Sequence, residues 1–225
     1  MKKIHYHLIE NYMLSCMKDS AHDQEHIYRV LYLALDIAQT EPDTDYDVLI
    51  CACLLHDIGR QAQFDDPSID HAEAGADQAF RFLMEQKFPE DFAGKVSACI
   101  RSHRFRKNNP PKSIEAKILF DADKIDISGA IGIARTLIYQ GQVGEPLYHL
   151  LPDGTVSDGT DHLGDSFLRE YKYKLEQIYE HFYTDRGRTL ARSRQRAAAD
   201  FYKNLFREIA DTRQGGNEQL HLHLE

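Results

Sequence analysis

Two histidines and two acidic residues have the types and positions expected of ligands to a divalent metal ion. His26 and Asp123 each fall on the apolar stripe of a predicted helix, and His56 and Asp57 directly follow the apolar segment VLICACLL. An ionised carboxylate among apolar neighbours is costly unless it is paired or binds a metal ion. Two imidazoles and two carboxylates suit Mn²⁺, Fe²⁺, Co²⁺, Ni²⁺ or Zn²⁺, whereas Mg²⁺ is less natural because of the histidines.

Each of these residues also has a structural interpretation. A single buried histidine is more often a hydrogen-bonded core residue than a ligand. His56 and Asp57 are adjacent, and adjacent side chains on a regular helix diverge by about 100°, so both can face one ion only near a helix end. Four such residues at the inner ends of three predicted helices favour the metal site.

Helices are the elements that must position these residues. Apolar residues at helical spacing from Ile27 to Ala38 predict one helix, with Asp23 as its candidate N-cap. Residues 48–55 are apolar on nearly all sides, which predicts a central helix surrounded by others. Gly59 is the candidate stop of that helix.

Three further helices are predicted in the middle of the chain. Asp70 begins the first with a pattern of the capping-box type, and His103 lies near the end of the second. Ser113 caps the third, which runs through Asp123 and breaks near Gly129. No alternating strand pattern is present, so the predicted fold class is all-α.

The C-terminal third begins with an irregular segment. Residues 141–164 contain five glycines and two prolines in 24 positions, which predicts a long loop or lid. Two long amphipathic helices are expected to follow, at about 165–183 and 187–211. The predicted organisation is therefore a core at 1–140, the loop at 141–164, C-terminal helices packed on the core at 165–214 and a polar tail at 215–225.

Composition narrows the class of partner and the compartment. Lys and Arg number 27 and Asp and Glu 36, a net charge of −9 that argues against nucleic acid. No segment approaches the roughly 20 apolar residues of a membrane helix. The N-terminal apolar run is too short for a signal peptide, and Cys16, Cys51, Cys53 and Cys99 fit reduced core residues, so a soluble, cytoplasmic protein is expected.

The motifs together resemble a known family. The order of His26, then His56-Asp57 in LLHDIG, then Asp123 in DADKID is similar to the H…HD…D signature of the HD superfamily of metal-dependent phosphohydrolases. The resemblance covers about residues 20–140 and is closest to small stand-alone HD hydrolases that include nucleotide pyrophosphatase-like members. It implies an HD-domain helical bundle with additional C-terminal helices, in which these four residues bind the metal.

Other residues near these motifs have roles that the resemblance leaves open. Asp121 competes with Asp123 for the last ligand position, while Asp121 and Asp126 also fit helix caps or groups behind the ligands. His71 and His103 match positions where some HD phosphodiesterases bind a second metal bridged by the HD aspartate, and where other members contact phosphate or transfer a proton. We expect one tightly held ion, with Asp57, His71 and His103 acting in catalysis.

Four cations adjoin the motifs and are candidate phosphate clamps, although each also fits a surface ion pair. They are Arg29, Arg60, Arg104 and Lys124.

The implied function is hydrolysis of a phosphoester or phosphoanhydride, in a nucleotide or related small metabolite, with pyrophosphate as the expected product from a nucleoside triphosphate. A P-loop motif is absent, so a nucleotide would be bound without one. Alternatives are a non-catalytic module that senses a nucleotide or metal, a dinuclear phosphodiesterase and an iron-dependent oxygenase on an HD-like scaffold. The oligomeric state is left open, with a homodimer as one option.

Overall fold

The computed structural model describes residues 1–17, 24–104 and 109–224, and these residues contain helices and no strand beyond an isolated bridge between Leu150 and Val156. The prediction of an all-α fold is confirmed. Asp23, the candidate N-cap, lies outside the described residues. The helices are α1 (Lys3–Cys16), α2 (Gln24–Ala38), α3 (Tyr46–Leu55), α4 (Arg60–Asp65), α5 (His71–Glu85), α6 (Glu90–Arg101), α7 (Ile114–Asp126), α8 (Gly129–Val143), α9 (Phe167–Glu170) and α10 (Asp185–His223).

The chain divides into two compact units. The first comprises Met1–Asp126 together with Phe182–Arg188, and the second comprises Ile127–His181 together with Thr189–Glu225. Every residue singled out for chemistry in the sequence belongs to the first unit. The predicted domain boundary at residue 140 falls inside α8.

Helix α3 is the centre of the first unit. It packs against α1, α2, α6 and α7, and seven of its ten residues are buried. Asp45 caps its N-terminus by accepting hydrogen bonds from the backbone N–H groups of Asp47 and Val48. This arrangement confirms the prediction of a central helix and explains why its sequence is apolar on all sides.

Side-chain caps also begin the helices that follow. Asp70 accepts from the N–H of Ala72 at the start of α5, and Ser113 accepts from the N–H of Ala116 at the start of α7. Both predicted helix starts are therefore confirmed, and the break near Gly129 is confirmed by a positive φ of 63° there.

Gly59 has a role that differs from the predicted one. Its φ is −83°, so it is not a left-handed helix stop, and it directly precedes α4. A Cβ at Gly59 would lie 2.5 Å from the backbone nitrogen of Gly75 and closer still to the carbonyl oxygen of His71. Glycine is required at position 59 because the backbone after α3 passes directly against α5.

Asp121 ties the segment Phe182–Arg188 to α7. Its carboxylate accepts hydrogen bonds from the backbone N–H groups of Tyr183 and Thr184 and from the Thr184 hydroxyl, at 2.7–2.9 Å. Gly187 packs beside the same carboxylate. The carboxylate of Asp121 therefore has a structural role, which is to hold this segment against α7.

The four cysteines behave largely as expected. Cys51, Cys53 and Cys99 are buried, Cys16 is half-buried, and all four are free thiols. Burial raises the pKa of Cys53 well above its ordinary value, which keeps this thiol protonated and unreactive.

The second unit has a small apolar core of its own, in which the rings of Tyr171 and Tyr202 stack with centroids 4.2 Å apart. The long helix predicted over residues 165–183 is wrong. It is replaced by α9, a π-helical turn over Tyr171–Leu175 and a 3-10 turn over Ile178–Glu180. The N–H of Glu176 bonds to the carbonyl of Tyr171, five residues earlier, and this wider turn changes the phase of the helix.

The last helix is longer than predicted. α10 continues through the expected polar tail to His223, and its last two turns are exposed. Within the described part of the chain, no helix combines the length and the hydropathy needed to cross a membrane.

The close approach at Gly59 generates the first prediction. We expect Gly59→Ala to lower the free energy of unfolding by about 1–3 kcal/mol or more, because the two backbones in contact cannot move apart without repacking α5. The matched control is Gly94→Ala on α6, where a Cβ would meet nothing within 4 Å. Because alanine is more favourable than glycine within a helix, this change should leave the free energy of unfolding unchanged or raise it slightly. Urea unfolding of both variants measures the difference; a Gly59→Ala protein as stable as Gly94→Ala would contradict the packing.

Candidate metal centre

The ends of five helices in the first unit bring six ionisable side chains together. None of the six is more than 6% exposed. They are His26 on α2, His56 and Asp57 after α3, His71 at the start of α5, His103 after α6 and Asp123 on α7.

Three of these side chains form the first group, which could hold a metal ion. The Nε2 atoms of His26 and His56 are 3.3 Å apart, and Oδ1 of Asp123 lies 3.5 Å from the first and 4.0 Å from the second. The donor atoms converge, as ligands to one ion must.

The other three side chains form the second group, which could also hold an ion. Oδ1 of Asp57 lies 3.5 Å from Nε2 of His71 and 3.6 Å from Nε2 of His103. Among the described residues, these three atoms are buried without a hydrogen-bond partner. Buried polar atoms normally have partners, and three buried acceptors that face one another fit a cation as their shared partner.

Asp57 stands between the two groups. Its second oxygen, Oδ2, lies 3.5 Å from Nε2 of His26 and 3.7 Å from Nε2 of His56. One carboxylate therefore directs one oxygen at each group, which is the geometry of a bridging ligand.

The tautomers of two histidines are set by their own helices. Nδ1 of His56 lies 2.8 Å from the carbonyl oxygen of Cys53, and Nδ1 of His103 lies 2.6 Å from that of Ile100. A carbonyl oxygen can only accept, so each Nδ1 carries a proton, and the neutral form of each ring has its lone pair on Nε2.

The tautomers of the other two histidines are set by side chains. Nδ1 of His71 lies 2.6 Å from the amide oxygen of Gln63, and Nδ1 of His26 lies 2.8 Å from Oδ2 of Asp126. In their neutral form all four imidazoles thus present an Nε2 lone pair to the site, as metal-binding histidines do when a second residue holds the other nitrogen.

Burial and charge keep these groups in ligand form. Burial lowers the pKa of His56 to about 4 and that of His71 to about 3, so both imidazoles are neutral near pH 7. Burial alone would raise the pKa of Asp57 and Asp123. Arg60 and His56 instead hold the pKa of Asp57 well below its ordinary value.

The pKa directions also distinguish Asp123 from Asp121, its competitor for the last ligand position. Lys124 and neighbouring imidazoles outweigh burial and lower the pKa of Asp123, whereas burial raises the pKa of Asp121 despite its three donors. The geometry agrees, because Asp123 faces His26 and His56 while Asp121 faces the segment 182–188. A set of four imidazole nitrogens and two carboxylates fits divalent transition metal ions.

The four candidate phosphate clamps all lie in ion pairs. Arg60 Nε lies 2.9 Å from Oδ2 of Asp57, and Lys124 Nζ lies 3.0 Å from Oδ2 of Asp123, so these two cations adjoin the cluster directly. The other two pair with residues outside the six: Arg29 with Asp126 at 2.7 Å and Arg104 with Asp70 at 3.3 Å.

Sequence reasoning missed the groups that hold the histidines. Gln63 was not singled out, and Asp126 was considered only as a cap or a supporting group. A signal for Asp126 was present: it follows Asp123 by three residues, as Arg29 follows His26 by three, so each pair shares one helix face. Gln63 carries no comparable signal, because its contact with His71 depends on how α4 packs against α5.

Comparison with known proteins places this cluster in a family. The family model of the HD domain matches residues 24–128. YpgQ of Bacillus subtilis (strain 168), described as uncharacterized, is 28% identical over 209 residues, covering 89% of this chain and 92% of YpgQ. The crystal structure of YpgQ in complex with ADP covers 91% of this chain and 97% of its own, at 26% identity and a TM-score of 0.70.

Two further solved structures are similar over nearly the whole chain. A protein from Lactobacillus plantarum has a TM-score of 0.73 at 27% identity, covering 92% of this chain and 98% of its own. A predicted HD superfamily hydrolase from an uncultured Thermotogales bacterium has a TM-score of 0.61 at 30% identity, covering 91% of this chain and 92% of its own. Because the matched segment 24–128 contains all six clustered residues and the Thermotogales hydrolase is similar across both units, this chain belongs to the HD superfamily of hydrolases.

Proposed function

We propose that this protein is a divalent-metal-dependent phosphohydrolase that acts on a phosphoester or phosphoanhydride of a nucleotide or related small metabolite. The observation that carries the proposal is the convergence of four Nε2 lone pairs and two ionised carboxylates in one buried cluster. When bound there, a divalent ion activates water as a nucleophile and withdraws charge from a phosphoryl oxygen.

The metal centre is proposed to hold two ions. Sequence reasoning favoured one, because the ligands of a second were not obvious. The orphaned atoms of Asp57, His71 and His103 supply that second set, and the two oxygens of Asp57 face different groups. In this proposal His26, His56 and Asp123 would hold one ion, His71 and His103 would hold the other, and Asp57 would contribute an oxygen to each.

Arg60 and Lys124 are the proposed contacts to phosphate. Each side chain contacts a buried carboxylate and is itself partly exposed to solvent, with exposed fractions of 34% for Arg60 and 16% for Lys124. Bound ions would take over the charge of Asp57 and Asp123, which leaves both cations able to contact an anionic ligand. Arg29 and Arg104 are weaker candidates, because their partners lie outside the cluster.

A nucleotide is the proposed substrate class. YpgQ, similar over about nine tenths of this chain, has been crystallised in complex with ADP. A net charge of −9 disfavours a long polyanion, whereas a small phosphorylated ligand responds mainly to the local cations and ions of the site.

The first test is hydrolysis with defined variants. We expect the wild type to hydrolyse a phosphorylated metabolite with added Mn²⁺ or Co²⁺, and His56→Ala and Asp57→Ala to lose both bound metal and turnover, because each change removes a ligand from a buried site. Asp121→Asn is the matched control and should retain metal, since this carboxylate accepts its hydrogen bonds, among the described residues, from the segment 182–188. Phosphate release, metal content and circular dichroism are the measurements.

Two results would contradict this function. One is full metal content and normal turnover in folded His56→Ala and Asp57→Ala. The other is a wild type that binds metal and nucleotide but releases no phosphate or pyrophosphate, which would favour the sensing module. Oxygen consumption with bound iron would favour the oxygenase alternative.

The number of ions gives a separate prediction. We expect two Mn²⁺ per wild-type chain and one per chain in the His71→Ala, His103→Ala double variant, which also loses most of its turnover. Removing two of three donors from the second group leaves the first group complete. Equilibrium dialysis followed by elemental analysis counts the ions; one ion in both proteins would restore the mononuclear interpretation.

The products of a nucleoside triphosphate distinguish the position of attack. From the resemblance to nucleotide pyrophosphatase-like members, we expect pyrophosphate and a nucleoside monophosphate rather than orthophosphate. Phosphorus NMR of the reaction mixture, without contaminating pyrophosphatase, identifies the products. Orthophosphate as the sole inorganic product would rule out this position.

A further inference from the structure

Asp126 is the one acidic side chain that contacts a histidine of the cluster from behind, among the described residues. It lies one turn after Asp123 at the end of α7 and is fully buried. Its Oδ2 lies 2.8 Å from Nδ1 of His26, on the side of the ring opposite to the cluster.

Arg29 compensates the charge of this buried carboxylate. Its Nε lies 2.7 Å from Oδ1 of Asp126, and a terminal guanidinium nitrogen lies 3.2 Å from Oδ2. A buried carboxylate with a guanidinium contact on both oxygens retains its negative charge at a tolerable cost. Arg29 and His26 are both on α2, so one carboxylate from α7 holds two side chains of the facing helix.

The other three histidines have neutral acceptors at the same position. Nδ1 of His56 and of His103 each bond to a backbone carbonyl, and Nδ1 of His71 bonds to the amide of Gln63. A carboxylate is a stronger acceptor than either, and it withdraws the Nδ1 proton further, which makes the opposite nitrogen a better electron donor. His26 is therefore expected to be the strongest imidazole donor of the four.

We propose that Asp126 is a positioning residue that tightens metal binding by the first group through His26, so that the two groups bind their ions with unequal affinity. The inference rests on the proposed function only in requiring that the cluster binds divalent ions. In this arrangement Arg29 supports Asp126 and is not a phosphate clamp, which revises its role from the sequence.

The experiment measures affinity at the first group directly. Mn²⁺ is titrated calorimetrically into protein stripped with a chelator, in the wild type and in the His71→Ala, His103→Ala background that leaves the first group intact. Adding Asp126→Asn to each is expected to weaken the first group about 10- to 100-fold, the usual cost of losing such a contact. The second group in the wild-type background should change much less.

Asp121→Asn is the matched control. It is the same near-isosteric change on the same helix, and it also removes a buried carboxylate that accepts hydrogen bonds, but this carboxylate faces the segment 182–188. It should lower stability to urea while leaving Mn²⁺ affinity at both groups unchanged. A loss of Mn²⁺ affinity at the first group that occurs in Asp126→Asn but not in Asp121→Asn supports the positioning role. Equal losses of affinity at both groups, or equal effects of the two variants, indicate a general packing effect and overturn the proposal.

Two outcomes separate this inference from the proposed function. A wild type that binds no divalent ion refutes the function itself, whereas two bound ions with unchanged affinity in Asp126→Asn refute only the role of Asp126. If Asp126→Asn does not fold, Asp126→Glu decides: it keeps the negative charge that Arg29 compensates but shifts the carboxylate by one methylene from Nδ1 of His26, so Mn²⁺ affinity at the first group alone should fall. Unchanged affinity at the first group, or equal falls at both groups, would overturn the proposal.

Discussion

Burial of two ionised carboxylates among four imidazoles is the constraint on which the site depends. Asp57 and Asp123 are almost inaccessible to water, and buried negative charge is tolerated only with compensating positive charge. Arg60 and Lys124 each contact one oxygen, which leaves Oδ1 of Asp57 without a partner among the described residues. A divalent cation would satisfy what remains, and for this reason the cluster fits a metal centre better than a core of hydrogen-bonded histidines.

Backbone contacts orient two of the four histidines. His56 and His103 each follow the last turn of a helix and bond to a carbonyl three residues earlier, so their rings cannot turn freely. The contact of Gly59 with Gly75 and the carbonyl of His71 brings α5 against the chain that follows Asp57. Preorganised ligands lose little freedom when an ion binds, which is one source of affinity in a metal site.

The helical class was predictable from the apolar stripes, which also place His26 and Asp123 on the buried faces of α2 and α7. His71 and His103 were indicated only by the resemblance to HD proteins. The division into two groups was not predictable, because it depends on how the two oxygens of Asp57 are turned by tertiary packing. The helix expected over 165–183 failed for a different reason. A π-helical turn keeps buried residues such as Tyr171 and Leu175 four apart, which a periodicity argument reads as α-helix.

We propose that four Nε2 atoms and two carboxylates form two adjoining ion sites that share Asp57. Crystals grown with Mn²⁺ and measured with X-rays near the manganese absorption edge locate the ions by anomalous scattering, independently of any assay. We expect two peaks, one contacting His26, His56 and Asp123 and one contacting His71 and His103, with Asp57 touching both. No peak in the cluster, or a single peak whose ligands exclude Asp57, would contradict this proposal.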